Sequence, residues 1–168
     1  AVARLLADGS LDPAYGNSGL YLTTLPSVFV VGGYAGWGPA AINGTAAVVA
    51  GSYHGDIVVT QADGSGAALS GFGTSGVASA DLLARVSLYA NAAARQPDGK
   101  LLAAGCIVAG PECDTLVVRV NADGSPDTGF GTNGRVILDL GGNDLAFGLA
   151  VQPDGRILVA GRAVTGAD

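Results

Sequence analysis

The chain has 168 residues, 49% of them hydrophobic and 13% charged, a balance that excludes global disorder and supplies one domain with a core of its own. Fourteen acidic against eight basic residues give a net charge of −6, the wrong sign for gripping a phosphate backbone, so no nucleic-acid partner is expected. Glycine fills 28 positions without a three-residue period, which excludes collagen and favours a turn-rich β protein.

The first local signal is Ala7-Asp8-Gly9-Ser10, followed by Tyr15-Gly16-Asn17-Ser18-Gly19. The same pair of phrases returns as Ala62-Asp63-Gly64-Ser65 with Phe72-Gly73-Thr74-Ser75-Gly76, and as Ala122-Asp123-Gly124-Ser125 with Phe130-Gly131-Thr132-Asn133-Gly134. Recurrence at this interval predicts an array of similar supersecondary units. Neither an initiator Met nor a charged-then-apolar leader stands at Ala1, and the chain reads as a processed or excised piece. The apolar stretch 20–37 is broken by Pro26, Gly32, Gly33 and Gly36, so no membrane insertion is expected. Within it, Tyr34 and Trp37 stand outside the repeat, and as unrepeated aromatics in a loop they are the candidate ligand-binding residues, against the alternative of a local packing plug.

A second phrase alternates with the first. It is clearest in Gln96-Pro97-Asp98-Gly99-Lys100-Leu101-Leu102-Ala103-Ala104-Gly105 and Gln152-Pro153-Asp154-Gly155-Arg156-Ile157-Leu158-Val159-Ala160-Gly161, with a worn copy from Ile42-Asn43-Gly44 to Gly51. Proline presets φ and glycine takes positive φ, so each marks a tight hairpin, and the glycosylation pattern Asn43-Gly44-Thr45 is read as one of these turns. Segment 80–95 has good helical propensity, but its place in the repeat is that of two strands, and the repeat is followed. Cys106 and Cys113 flank a hairpin tip, where facing positions come within disulfide range; an even cysteine count in a lysine-poor, turn-rich chain suits an oxidising compartment. The alternative is two small buried hydrophobes.

In the third unit the strands are predicted at 115–121, 134–140, 146–152 and 156–162. Because 101–104 and 157–160 are apolar at every position, both faces of these strands should be covered. Small antiparallel sheets stacked face to face satisfy that need. The expected fold is an all-β propeller of four-stranded antiparallel blades, three blade-equivalents per chain, with a β-trefoil-like three-fold arrangement as the alternative. One repeat domain covers 1–168 in units of approximately 1–57, 58–113 and 114–168, beginning and ending in mid-blade.

These phrases resemble the delta-60 repeat, a bacterial β-propeller family with an Asp-Gly-Ser-Leu-Asp…Phe-Gly-x-x-Gly turn and a Gln-Pro-Asp-Gly-Lys hairpin. The resemblance spans the chain in three units, although the second lacks the acid seen as Asp12 and Asp127 and the first reduces Gln-Pro-Asp-Gly to Ala41-Ile42-Asn43-Gly44. It implies a secreted or cell-surface protein and supplies no catalytic residues. Three units with two open edges do not close alone, since propellers take about four to eight blades, so either a homodimer joined head to tail or further blades of a longer chain is expected.

The sites that could carry chemistry are few. Gly71 to Gly76 and Gly129 to Gly134 fit Gly-x-Gly-x-x-Gly, but a dinucleotide site needs a helix after the turn, and here a β-like segment follows. Asp8, Asp12, Asp123 and Asp127 offer a Ca²⁺ alternative around Gly-Ser, without the Asp-x-Asp-x-Asp-Gly alternation; side chains bonded to their own turns are the simpler reading, and no cofactor is expected. His54, with Ser52 nearby, is the sole imidazole and lacks a nucleophile elbow. The expected function is a non-enzymatic structural or binding module, with a lectin-like glycan-binding module or a protein-binding one as alternatives, and a hydrolase using rim carboxylates behind them.

Overall fold

A computed structural model describes residues 2–21, 36–43, 46–53, 56–80, 87–108 and 110–164. Its regular structure is twelve strands: β1 Val2–Ala3, β2 Leu20–Tyr21, β3 Gly36–Asn43, β4 Ala46–Tyr53, β5 Asp56–Ala62, β6 Val77–Ala80, β7 Ser87–Arg95, β8 Leu101–Val108, β9 Cys113–Val120, β10 Arg135–Leu138, β11 Leu145–Val151 and β12 Ile157–Arg162. No helix occurs among the described residues, and β7 confirms a strand where alanine-rich propensity competed. All pairings are antiparallel between chain neighbours. They make two four-stranded sheets, β3-β4-β5-β6 and β7-β8-β9-β10, and two two-stranded pieces, β1-β2 and β11-β12.

The core follows from alternation along strands that are apolar on both faces. In β8, Leu101, Ala103 and Ile107 face Val48, Ala50, Ile57 and Val59 of the first sheet, whereas Leu102 and Ala104 join Ala146, Leu149 and Val159 of β11-β12. The second four-stranded sheet is thus a filling between two others, and residues 101–104 are at most 1% exposed. Burying one leucine completely contributes about 1.5–3 kcal/mol, so this doubly covered strand anchors the fold. The expectation of double coverage fails at 157–160: Ile157 and Val159 are half-buried, but Leu158 and Ala160 point away from the core and are exposed. Among the described residues no strand lies against the outer edge of β12.

Gly105 and Gly161, which end the hairpin phrase, sit under a register shift in the neighbouring strand, after Ala90 and after Ala146. A Cβ on Gly105 would collide with the Tyr89 carbonyl and one on Gly161 with that of Leu145. Only glycine lets the bulged strand approach so closely.

Cys106 and Cys113 form a disulfide across the β8–β9 hairpin with Cα atoms 5.8 Å apart. They are diagonal rather than facing: Cys106 pairs with Thr115 and Cys113 with Val108, which leaves the two cysteines on one face and within reach.

Candidate functional site

The Asp-Gly turns share one hydrogen-bond scheme. A first residue donates its N–H to the carbonyl four residues on and accepts from the N–H three residues on; these first residues are Leu6, Asp63, Gln96, Asn121 and Gln152. Gly9, Gly99, Gly124 and Gly155 take the left-handed position at φ 84–88°. In four of the turns the carboxylate of Asp8, Asp98, Asp123 or Asp154 accepts the N–H two residues ahead. Ser10 and Ser125 also donate their hydroxyls, which are the main cause holding Asp8 and Asp123 below the usual carboxylate range.

The middle copy corrects the sequence alignment. There the left-handed residue is Gly66, not Gly64, and the turn begins at Asp63. The phrase Ala62-Asp63-Gly64-Ser65 is therefore displaced by two residues relative to its namesakes, with Ser65 standing where Asp8 and Asp123 stand. Asp63 still binds Ser65, and that hydroxyl is again the main cause of its lowered carboxyl pKa. The aromatic-Gly-x-x-Gly turns keep their expected form: Gly16, Gly73 and Gly131 lie at φ 53–55°, Gly19, Gly76 and Gly134 at φ 82–94°, and strands follow rather than helices.

These two kinds of turn interlock from one unit to the next. Gly16 donates its N–H to the Ser65 carbonyl, and Gly73 donates to the Asp123 carbonyl at 2.7 Å. The fit is close: a Cβ on Gly66 would lie 2.5 Å from Gly16 N, and one on Gly124 2.7 Å from Gly73 N. Gly16, Asn17 and Leu20 line a groove together with Ser65, Gly66, Ala67 and Ala68 of the next unit's turn. The homologous groove at Gly131, Thr132 and Arg135 has no turn against it among the described residues, and a Cβ on Gly9 would meet nothing within 4 Å. The chain thus makes the same contact twice and presents both halves of it a third time, apart.

A charged brace that sequence reading missed stands beside the aromatic turn of the first and third units. Arg4 pairs with Asp12 at 2.8 Å and lies 4.5 Å above the Tyr15 ring; Arg119 pairs with Asp127 at 2.7 Å and lies 4.4 Å above Phe130. Asp127 also receives Lys100 at 2.8 Å, and this bond, followed by the Arg119 contacts, draws its carboxyl below the ordinary range against the opposing pull of burial. In the middle unit Gln61 and Leu69 occupy these places, and Leu69 packs on the core. The signal was present as an Arg eight residues before an Asp, in two units of three. Asp12 and Asp127, weighed above as Ca²⁺ ligands, each pair with an arginine.

Of the remaining sequence candidates, Trp37, Asn43 and Ser52 are among the described residues. Trp37 belongs to β3, opposite Gly51, and not to a loop. Tyr34, His54 and Gly44 lie outside the described residues, while Asn43 ends β3 opposite Ala46, as a hairpin turn requires. Ser52 is buried in β4.

A family model described as "Domain of unknown function (DUF5122) beta-propeller" matches residues 1–15, 96–130 and 152–168. The chain therefore carries repeats of a β-propeller type, and the matched segments are those with intact Asp-Gly turns, leaving out the middle unit with its displaced turn. No curated protein and no solved structure matches the chain.

Proposed function

We propose that this chain is a non-enzymatic, self-assembling β-propeller module of the delta-60 repeat type, secreted or held at the bacterial cell surface. Each four-stranded sheet is one blade, and β11-β12 of one copy with β1-β2 of the next make another. Two copies joined head to tail then close a ring of six blades, within the range of about four to eight that propellers use. The Cys106–Cys113 disulfide favours an oxidising location.

One observation carries the reading: apolar residues at the two open edges are exposed where their repeat equivalents are fully covered. Leu158 is 53% exposed and its equivalent Leu102 0%; Leu5 is 58% exposed, while Ala62 and Val120 are 0% and 1%. Continuing the β8–β9 register across the seam pairs Ile157 with Leu5 and Val159 with Ala3 of the next copy, as Leu101 pairs with Val120 and Ala103 with Val118. Arg156 then stands where Lys100 stands, ready to join Arg4 on Asp12. The assembly removes two unpaired strand edges, which otherwise invite aggregation.

Light scattering on the 168-residue chain should give twice its 16.4 kDa mass. Mixed Ala3→Cys and Val159→Cys proteins should oxidise to a covalent heterodimer. A folded monomer at high concentration, or no cross-link between the two variants, would overturn the assembly.

A further inference from the structure

The corner between β10 and β11 gathers acidic side chains that the repeated turns do not explain. After Leu138 the chain runs Asp139-Leu140-Gly141-Gly142-Asn143-Asp144 and folds back over the start of β9. Asn143 Oδ1 accepts the N–H of Cys113, and the Asp144 N–H donates to the Cys113 carbonyl. The loop is therefore fixed to the disulfide-bearing residue next to Asp114. One carboxylate oxygen each from Asp114, Asp139 and Asp144 lies within 4.8 Å of the others.

Asp144 is the informative member. It is 0% exposed; its Oδ2 accepts the Leu140 N–H at 2.6 Å, while its Oδ1 is buried with no hydrogen-bond partner. A buried carboxylate oxygen without a donor is costly, and the cost is removed by a proton or a cation. The fold does not demand an acid here. Asp144 stands two residues before Ala146, which pairs with Gly161; in the preceding sheet Ala90 pairs with Gly105, and two residues before it stands Leu88. The sequence thus carries no acid at the equivalent position of the preceding sheet, and Asp144 is particular to this corner.

We propose that Asp114, Asp139 and Asp144 bind one Ca²⁺ ion. The donors are hard carboxylate oxygens, without the imidazole or thiolate that zinc prefers. Two oxygens on opposite sides of a Ca²⁺ at about 2.4 Å each are about 4.8 Å apart, so the observed spread fits one coordination sphere. Ca²⁺ accepts such irregular sites more readily than Mg²⁺, which demands a near-ideal octahedron. Three like charges gathered this closely repel one another, and a cation between them relieves that repulsion. The ion would tie β9 to the loop that launches β11, next to the disulfide.

Chelator-treated full-length chain titrated with CaCl₂ should bind one ion per chain by calorimetry. Its melting temperature should rise by about 5–10 °C when free Ca²⁺ exceeds Kd a hundredfold. Asp139→Ala removes an exposed ligand and should weaken binding tenfold or more. Asp144→Leu, which installs the residue of the preceding sheet, should abolish binding while the metal-free protein melts no lower than the parent. Asp98→Ala, in a turn away from the corner, should bind like the parent. Absence of Ca²⁺ binding by the parent, unchanged affinity in both Asp139→Ala and Asp144→Leu, or Mg²⁺ binding as tightly as Ca²⁺ would overturn the assignment.

Discussion

Strands β8 and β12 carry nearly the same phrase, yet one is sealed on both faces and the other on one. Residues 101–104 are at most 1% exposed, whereas in β12 Leu158 is 53% exposed beside a half-buried Val159. Local sequence records the environment a strand is made for. The rest of the described chain supplies that environment for β8 and only half of it for β12, so the difference between them locates a missing neighbour.

The comparison is broken most forcefully by placing a charge at each position. Leu102→Asp buries a carboxylate with no partner between two sheets, and the chain should fail to fold, with loss of the β signal in circular dichroism at room temperature. Leu158→Asp should leave the protomer folded with an unchanged spectrum and convert the proposed dimer to a 16.4 kDa monomer in light scattering. Unfolding by both variants would mean that β12 is covered within its own chain.

A glycine pair sharpens the same contrast with backbone conformation held constant. Gly9 and Gly124 both sit at φ 86°, so an alanine carries the same left-handed strain of about 1–2 kcal/mol at either position. At Gly124 the new methyl also presses on Gly73, an added cost of overpacking of about 1–3 kcal/mol, and the melting temperature should fall clearly further than in Gly9→Ala. At Gly9 the methyl meets nothing within the protomer but blocks the seat of Gly131 from the next copy. Gly9→Ala should therefore shift the equilibrium toward monomer while Gly124→Ala does not. Equal melting losses and equal dimer fractions would refute the equivalence of the two contacts.

Much of the fold was legible because turns and apolar runs are local facts. Positions such as Gly99, Gly131 and Asp154 announce their conformations through steric and hydrogen-bonding needs that a sequence displays. The reading of 80–95 as strands followed from its place in the repeat, against its own alanine content; Ser87–Arg95 is a strand, and 81–86 lie outside the described residues. Gly64 misled because the phrase was intact while the turn had moved; the left-handed position is set by the distance to Phe72, which only Gly66 satisfies. The arginine braces left only an Arg eight residues before an Asp in two units of three, a spacing that the worn middle unit breaks. The Asp114, Asp139 and Asp144 cluster joins residues from different strands and loops, and no spacing rule carries the pairing register that brings them together. Trp37 was misplaced because a bulged strand rich in glycine and proline reads as a loop.

The smallest effect separates the two braces. Asp127 is held by both Arg119 and Lys100, while Asp12 has Arg4 and, in the protomer, no second cation among the ion pairs of the described residues. Asp127→Asn should cost about 1–3 kcal/mol, because it leaves two partly buried cations without their acceptor; Asp12→Asn should cost under about 1 kcal/mol, in keeping with a more exposed single pair. The pH dependence follows from the lowered Asp127 pKa. The folded state binds this proton less readily than the unfolded state, so its stabilisation is fully present above the unfolded carboxylate value near 3.8 and is lost as pH falls through the lower folded value. Urea titrations should show Asp127→Asn far below the parent at pH 7 and the gap narrowing as the pH falls below 3.8. In the proposed ring Arg156 of the neighbouring copy would reach Asp12, so the penalty of Asp12→Asn should grow with protein concentration. A penalty independent of concentration would separate this brace from the seam.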